Sequence, residues 1–384
     1  MKTNHKRILA LDVMRGITIA GMILVNNPGS WAYVYAPLKH AEWNGLTPTD
    51  LVFPFFMFIM GISTYLSLKK FEFKPSVKSF VKIVRRTVVI FLAGLALAWL
   101  SLTFRRWHEL GDGDVLTRLL GAMNNFERVR ILGVLQRLAL SYGAAATLAL
   151  WIRHRYIPYL IAGLLILYTC LLFQGAGFEY NETNILSIVD RSVLGITHVY
   201  KDNGIEPEGI LSTLPSVAHV LLGFCCGRLL MRRKLDMEQR LLRLLLVGAV
   251  LTFAGFLLNY GCPINKKVWS PTFVLTTCGL GASFLAIMIW LTDVRMVKRT
   301  GFFEAFGVNP LFMYIVAAVL SILMGNVNVF YEGKVKSLHG FVYGDVLQPL
   351  LGDFPASLAF ALMFVVIVWA VGYPLYRLKI YVKI

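Results

Sequence analysis

Long apolar segments recur along the whole chain, and they limit its fold more than any other feature. An apolar α-helix of about 20 residues crosses the ~30 Å hydrocarbon core of a bilayer. Hydrophobic residues make up 57% of the 384 residues, too large a share for a soluble domain. The sequence therefore predicts an all-α polytopic membrane protein, with residues 1–384 forming a single transmembrane domain. The roughly ten predicted spans are 8–26, 49–68, 86–104, 131–150, 157–174, 210–230, 241–259, 272–291, 304–324 and 357–376.

The positive charge of the chain is concentrated in the segments that connect these spans. The formal net charge is +17. If the N-terminus is cytoplasmic, the inside segments hold about twice as many Lys and Arg residues as the outside loops, as the positive-inside rule requires. The densest basic segments, 69–86 and 228–243, both fall inside, whereas the Arg-rich loop 104–130 fits less well. Both termini are predicted to be cytoplasmic, and orientation explains the charge better than nucleic-acid binding does.

The first apolar segment is expected to remain in the protein as a span. It contains Asp12 and Arg15, and it lacks the small-residue cleavage site of a signal peptide. The five Cys residues are scattered over spans and loops without the spacing of metal ligands. Buried apolar roles are expected for them, and no metal site is expected.

One titratable side chain lies just before the second span. His40 stands at a predicted bilayer surface with access to water, so it is a candidate acid, base or acyl acceptor. A solvated surface histidine is the commoner case. Thr47, Pro48 and Asp50 match an N-cap, a first-turn proline and a carboxylate at the third helical position. Asp50 is therefore interpreted first as a helix cap.

Polar side chains also lie inside the predicted spans. Asp12 and Arg15 are three residues apart on one helical face, where they either neutralise one another or serve a site. Asn26 ends the same span, about 21 Å from Asp12 along a helix. The fourth span opens with Gln136 and Arg137, which either snorkel or line a wet cavity.

The ninth predicted span contains a Gly/Pro interruption. Residues 306–311 read FGVNPL, which frees backbone groups next to Asn309. Irregular backbone at membrane depth must be buried in protein or face water. A broken helix is therefore expected here.

These motifs together resemble the heparan-α-glucosaminide N-acetyltransferase family, which includes bacterial membrane N-acetyltransferases for glucosamine. The resemblance is densest over residues 10–68, recurs at 130–137 and 306–314, and suits the span count elsewhere. The match over residues 10–68 is specific to the family, and the matches at 130–137 and 306–314 would be weak evidence alone. The matching segments within residues 10–68 are LDVMRG at 11–16, VN at 25–26, HAEWNG at 40–45 and DLVFP at 50–54.

The resemblance implies an enzyme that takes acetyl from cytosolic acetyl-CoA and delivers it to the amino group of a glucosamine residue. It places the family's active-site His on His40 and its neighbouring Asn on Asn26. A thioester is already activated, so one His that removes the amine proton does most of the chemistry, and an Asn amide can stabilise the oxyanion. His40 can instead accept the acetyl group first, which gives ping-pong kinetics. Both routes stay open.

The chain departs from the lysosomal members of that family. It lacks their large luminal domain and the extra span that precedes the shared core. This favours a bacterial inner membrane over a lysosome, and it leaves the acceptor open between free glucosamine, a disaccharide and a glycosaminoglycan end.

Because acetyl-CoA is cytoplasmic and His40 is placed outside, either the donor must reach through the bundle or the acceptor must come in. The nucleotide end is expected on basic residues at the inner surface, with Lys82, Arg85 and Arg86 as first candidates, and the pantetheine on polar side chains of the first span. Orientation alone explains the basic residues equally well. The residues assigned to the donor path are Lys82, Arg85, Arg86, Asp12, Arg15, Gln136, Arg137 and Asn309.

Two other functions stay open. One is a membrane O-acetyltransferase of a glycan, and the other is a secondary transporter that uses the charges within the spans as its pathway. Five acidic residues in the outer loops could attract an ammonium group, but none is assigned to the site: Glu179, Glu182, Asp190, Glu206 and Glu208. The expected partners are acetyl-CoA, an amino sugar and lipids, without nucleic acid, and a monomer and a homodimer fit equally well.

Overall fold

The chain is mostly helical in a computed structural model, which describes residues 8–111, 113–232, 234–297 and 299–382. The predicted cytoplasmic residues 1–7 and the last two residues lie outside this part. A hairpin of β1 (Asn328–Tyr331) and antiparallel β2 (Lys334–Ser337) interrupts the helices. The helices are α1 (Leu9–Asn26), α2 (Pro48–Lys69), α3 (Val77–Glu109), α4 (Val115–Met123), α5 (Val134–Trp151), α6 (Ile157–Gln174), α7 (Ile185–Leu194), α8 (Thr213–Leu230), α9 (Met237–Leu258), α10 (Pro271–Ile289), α11 (Gly301–Val308), α12 (Pro310–Asn326), α13 (Leu338–Gly340), α14 (Gln348–Leu351) and α15 (Asp353–Arg377).

Eight helices in the described ranges are long and apolar enough to cross a membrane: α1, α2, α3, α6, α8, α9, α10 and α15. α11 and α12 add a ninth span if they are taken together. The prediction of an all-α polytopic membrane protein is confirmed. A helix also occupies each of the ten predicted spans, but α5 is less apolar because Gln136 and Arg137 lie in its first turn. The count of ten spans remains a prediction.

α1, α2 and α8 form the centre of the bundle, where most of each helix is buried, while α3 and α9 are largely exposed. Glycine lets α2 and α8 touch through their backbones. A Cβ at Gly61 would lie 2.1 Å from the carbonyl oxygen of Val220, and one at Gly223 would lie 2.2 Å from that of Phe58. Small residues at such crossings allow the close packing on which membrane helices depend.

α11 crosses α1 in the same way before the chain turns. A Cβ at Gly307 would lie 1.8 Å from the carbonyl oxygen of Asp12, and one at Gly16 would lie 1.8 Å from that of Phe303. The expected break follows at once, since α11 and α12 meet at 89°. The prediction of a broken helix at this Gly/Pro sequence is confirmed.

The Asn309 side chain at this break holds the C-terminal segment. Its Nδ2 donates to the carbonyl oxygen of Ile380 at 2.8 Å, and its Oδ1 accepts from the backbone N–H of Val382 at 2.9 Å. The amide thus gives the chain after α15 a fixed place beside the break.

Candidate active site

His40 and Asp50 form a hydrogen-bonded pair at one end of the bundle. We call this the outer end, and the end that holds Leu9 the inner end, after the orientation that the sequence predicts. Asp50 is fully buried in the first turn of α2. Its Oδ2 accepts from the backbone N–H groups of Ala41 at 3.0 Å and Thr47 at 3.1 Å, and its Oδ1 lies 2.6 Å from Nδ1 of His40. Asp50 therefore caps α2, as predicted, and also holds the imidazole.

This pairing determines which ring nitrogen of His40 can act as a base or as a nucleophile. An ionised carboxylate only accepts hydrogen bonds, so the 2.6 Å contact requires the proton on Nδ1. In the neutral ring, Nε2 is then left with a lone pair. The side chain of His40 is 42% exposed, which leaves the ring accessible to a substrate. The geometry suits Nε2 to act as a base or as a nucleophile.

A lysine from the loop between α9 and α10 completes the cluster. Nζ of Lys266 lies 3.0 Å from Nδ1 of His40 and 3.3 Å from Oδ1 of Asp50. Because Nδ1 carries a proton, the ammonium donates to Asp50 rather than to the ring. Burial lowers the pKa of Lys266, and the Asp50 carboxylate opposes that shift. We call His40, Asp50 and Lys266 the outer triad.

Two hydrogen bonds, one between backbone groups and one between side chains, connect the α9–α10 loop to the segment that follows His40. The N–H of Gly45 donates to the carbonyl oxygen of Ile264 at 2.8 Å. The side chain of buried Asn265 donates to Oδ1 of Asn44 at 3.1 Å. These bonds lie beside Lys266 in the chain, so they set the position from which it reaches His40.

The next residue in this loop makes a separate contact. Nζ of Lys267 lies 2.6 Å from the Tyr180 hydroxyl and 2.8 Å from Oδ2 of Asp202. Burial lowers the pKa of Lys267, but Asp202 and Tyr180 outweigh burial and raise it above its usual value. The ring of Tyr180 stacks on Trp43 with centroids 4.5 Å apart. Two consecutive lysines therefore serve two different clusters.

A cavity of about 340 Å³ opens near the outer end, between α1, α3, α5 and α12. Amide and hydroxyl groups make much of its wall polar. Gly94 of α3 leaves the space that the Gln136 side chain occupies, since a Cβ there would lie 2.5 Å from its Oε1. The polar lining residues of this outer cavity are Asn26, Asn27, Ser101, Arg130, Gln136, Tyr314 and Ser321.

A second cavity, of about 330 Å³, lies toward the inner end and is lined by the broken helix. Arg15 reaches it from α1, where its guanidinium donates to Asp12, Ser63 and the carbonyl oxygen of Gly307. The Asp12–Arg15 ion pair measures 3.0 Å, in agreement with one of the two sequence interpretations. The polar lining residues of this inner cavity are Arg15, Ser63, Arg86, Asn309 and Tyr314.

The two cavities share part of their walls. Met22, Val134, Leu135 and Tyr314 line both. A helix rises 1.5 Å per residue, so the 11 steps from Arg15 to Asn26 on α1 span about 16 Å. The cavities therefore lie end to end along the bundle, with Arg15 and Arg86 at the inner one, and three amide side chains together with Arg130 at the outer one.

The structure brings some of the predicted site residues together and keeps others apart. Asn26 and Gln136 line the outer cavity, and Arg15, Arg86 and Asn309 line the inner one. The described lining residues do not include the other five: His40, Asp12, Lys82, Arg85 and Arg137.

Three of these five have other surroundings. Nζ of Lys82 donates to Ser67 at 2.8 Å, and Arg85 is exposed on α3. Arg137 is fully buried and donates to the carbonyl oxygen of Pro207 at 2.9 Å, with its guanidinium over the Trp269 ring. Arg137 therefore holds the segment before α8, which is neither of the two environments expected from the sequence.

Some residues of the site carry no sequence signal. Lys266 is 226 residues from His40 in the chain, and a lysine in a loop has no distinguishing neighbours. Arg130 lines the outer cavity and is paired with the carboxylates of Glu206 and Glu208. Glu208 also acts electrostatically on Lys266.

The fold and the site define a polytopic helical membrane protein with a His–carboxylate pair at one end and two adjoining cavities between its helices. The family model described as heparan-alpha-glucosaminide N-acetyltransferase, catalytic, matches residues 7–260, more than half of the chain. The chain belongs to this family, as the sequence motifs indicated.

Two relatives have the name heparan-alpha-glucosaminide N-acetyltransferase. The protein of Homo sapiens is 27% identical over 368 residues, which cover 80% of this chain and 52% of the relative. The protein of Mus musculus is 27% identical over 379 residues, covering 83% and 54%. The chain spans about half the length of these relatives.

Proposed function

We propose that this protein is a transmembrane N-acetyltransferase. It moves acetyl from acetyl-CoA at the inner end to the amino group of glucosamine or of a terminal glucosaminide at the outer end. The observation that carries the proposal is the His40–Asp50 pair, which leaves one basic nitrogen accessible at the outer end. Family membership supports acetyl transfer, and the two cavities offer the donor a route.

The inner cavity suits the anionic end of the donor. Arg15 and Arg86 both line it, and guanidinium groups bind phosphate oxygens well. The pantetheine arm, with its amides and short apolar segments, then extends past Tyr314 into the outer cavity. Its thioester would arrive near Asn26 and Gln136, about 16 Å further along α1.

Transfer takes place at the outer mouth, where the acceptor amine meets the thioester. Nε2 of His40 takes the amine proton while the nitrogen attacks the thioester carbon. The amide of Asn26 stabilises the oxyanion. Collapse forms the C–N bond and breaks the C–S bond, and the CoA thiolate leaves and takes up a proton. If His40 accepts the acetyl first, the same Nε2 is the nucleophile.

The test is acetyl transfer from labelled acetyl-CoA to glucosamine by the purified protein in detergent. His40→Ala should lower kcat by about 10²-fold or more, the share that a general base supplies. His108→Ala is the matched control, since His108 lies at the outer end of α3 and contacts the carbonyl oxygen of Asn326 instead. Equal kcat in His40→Ala and in the parent would overturn the assignment.

Product chemistry separates this function from O-acetylation. An amide survives mild alkali and an ester does not, so an alkali-stable product is expected. Labelled acetyl on the protein without acceptor, lost in His40→Ala, would select the acyl-imidazole route.

The broken helix keeps transport as a second candidate. The 89° break between α11 and α12 lines the inner cavity, and such breaks form substrate sites in transporters. Uptake of labelled glucosamine into proteoliposomes that lack acetyl-CoA would support transport. The acetyltransferase proposal predicts none.

A further inference from the structure

The outer triad places two opposite charges against one nitrogen of an imidazole. The Asp50 carboxylate and the Lys266 ammonium lie 2.6 Å and 3.0 Å from Nδ1 of His40. Asp50 belongs to α2 and Lys266 to the α9–α10 loop, two segments that are distant in the sequence and meet only in the folded protein. On its own loop, His40 has the exposed neighbours Lys39 and Glu42.

A buried carboxylate alone would work against a general base. It stabilises the imidazolium, and a protonated ring cannot take a proton from the acceptor amine. An ammonium at a similar distance has the opposite effect, because it repels the charge of the imidazolium. With both present, Asp50 can orient the ring without drawing a second proton onto it.

Resting on the proposed function, we infer that Lys266 is a positioning residue that keeps the His40 ring neutral beside Asp50, with its one proton on Nδ1, so that Nε2 can accept the proton of the attacking amine. The Lys266 ammonium contacts His40 and Asp50, so it acts through these two side chains. The ammonium pairs with the Asp50 carboxylate at 3.3 Å, and no other Lys or Arg side chain lies within 4 Å of that carboxylate among the described residues.

Lys267 provides a matched control. It lies in the same loop and also pairs with a carboxylate, but its partners are Asp202 and Tyr180 rather than the triad. Lys266→Met removes the charge beside His40, Lys266→Arg retains a charge, and Lys267→Met removes a charge one residue away.

The experiment is an NMR titration of protein labelled with ¹³C at the histidine rings, in detergent. The chain has seven histidines, and the His40 signal is the one that His40→Ala removes. In Lys266→Met the His40 titration should move to higher pH by about one unit, since one like charge near the ring is lost. It should stay in place in Lys266→Arg and in Lys267→Met.

Kinetics give a second readout that a purely structural role would not produce. The acid limb of the plot of kcat against pH should move to higher pH in Lys266→Met. At one pH unit below the midpoint of the parent's acid limb, kcat of the variant should be about tenfold lower than kcat of the parent. At alkaline pH kcat should match the parent, which shows that the variant folds. KM for acetyl-CoA should not change.

An unmoved His40 titration in Lys266→Met, or an equal shift in Lys267→Met, would overturn the inference. The NMR result does not depend on turnover. A shifted titration in a protein without acetyl transfer would therefore refute the proposed function and leave the charge coupling in place, whereas an unmoved titration in an active enzyme would refute the coupling alone.

Discussion

Asp50→Asn should remove most of the activity and little of the fold. Asp50 accepts from the N–H groups of Ala41 and Thr47 through Oδ2 and contacts His40 through Oδ1. An asparagine side chain has one acceptor oxygen, and this oxygen is expected to accept from the backbone N–H groups of Ala41 and Thr47. Its NH₂ group then faces Nδ1, which must become an acceptor, and the ring proton moves to Nε2. The base loses its lone pair.

The wrong tautomer should lower kcat by about 10³-fold, or ~4 kcal/mol of activation free energy. The folding cost is smaller, about 1–2 kcal/mol, because the capping bonds to the backbone are mostly retained. Steady-state transfer and thermal unfolding of the same samples separate the two effects.

Thr47→Ala is the control for capping. It removes the Thr47 hydroxyl, which bonds Asp50 at 2.9 Å and the carbonyl oxygen of Lys39 at 2.8 Å, but leaves the carboxylate on His40. It should lower stability by about 1 kcal/mol and barely change kcat. If Thr47→Ala loses as much kcat as Asp50→Asn, or if Asp50→Asn is fully active while His40→Ala is not, the tautomer reasoning is wrong.

Further predictions concern the donor path, the oxyanion, the packing and the pH dependence. Arg86→Glu should raise KM for acetyl-CoA about tenfold or more, and Lys78→Glu, an exposed change on the same helix, should not; equal KM values would remove Arg86 from the donor site. Asn26→Ala should lower kcat by about 10²-fold with an unchanged KM for the donor, and an unchanged kcat would exclude the oxyanion role. Gly307→Ala forces a methyl into the α1 backbone and should destabilise the fold by about 1–3 kcal/mol in thermal unfolding, against no change if the helices separate freely. Burial raises the pKa of Asp190 to about 6, so its contribution to stability is complete below its ordinary pKa and is lost as the pH rises through about 6. Asp190→Asn should therefore raise Tm at pH 8 relative to the parent and not at pH 4, and an equal change at both would contradict this.

The parts of the fold that could be predicted are those that local sequence determines. About 20 consecutive residues determine a span, so a helix lies at each of the ten segments that hydropathy marked, whereas the shorter helices α4, α7, α13 and α14 were not predicted. The break at Asn309 was predicted for the same reason, because a Gly/Pro sequence disturbs a helix wherever it stands. The cap formed by Thr47 and Asp50 is equally local.

Contacts between distant segments could not be predicted. Lys266 reaches His40 because Asn44 and Asn265 pair two loops that are over 200 residues apart. Arg137 illustrates the same limit. Its position in the first turn of a span suggested snorkelling or a wet cavity, but its guanidinium donates to the carbonyl oxygens of Pro207 and Gly209 in the segment before α8. The sequence around a charged residue at the end of a span does not indicate which loop packs over that residue in the fold.

The central claim is that acetyl crosses the bundle from one end to the other, and sided proteoliposomes test it most directly. Glucosamine is trapped inside the vesicles, labelled acetyl-CoA is added outside, and the sealed vesicles are washed before their contents are analysed. Labelled N-acetylglucosamine is expected inside vesicles that contain the parent protein, and none inside vesicles that contain His40→Ala. Product that forms only when both substrates are on the same side of the membrane would contradict it.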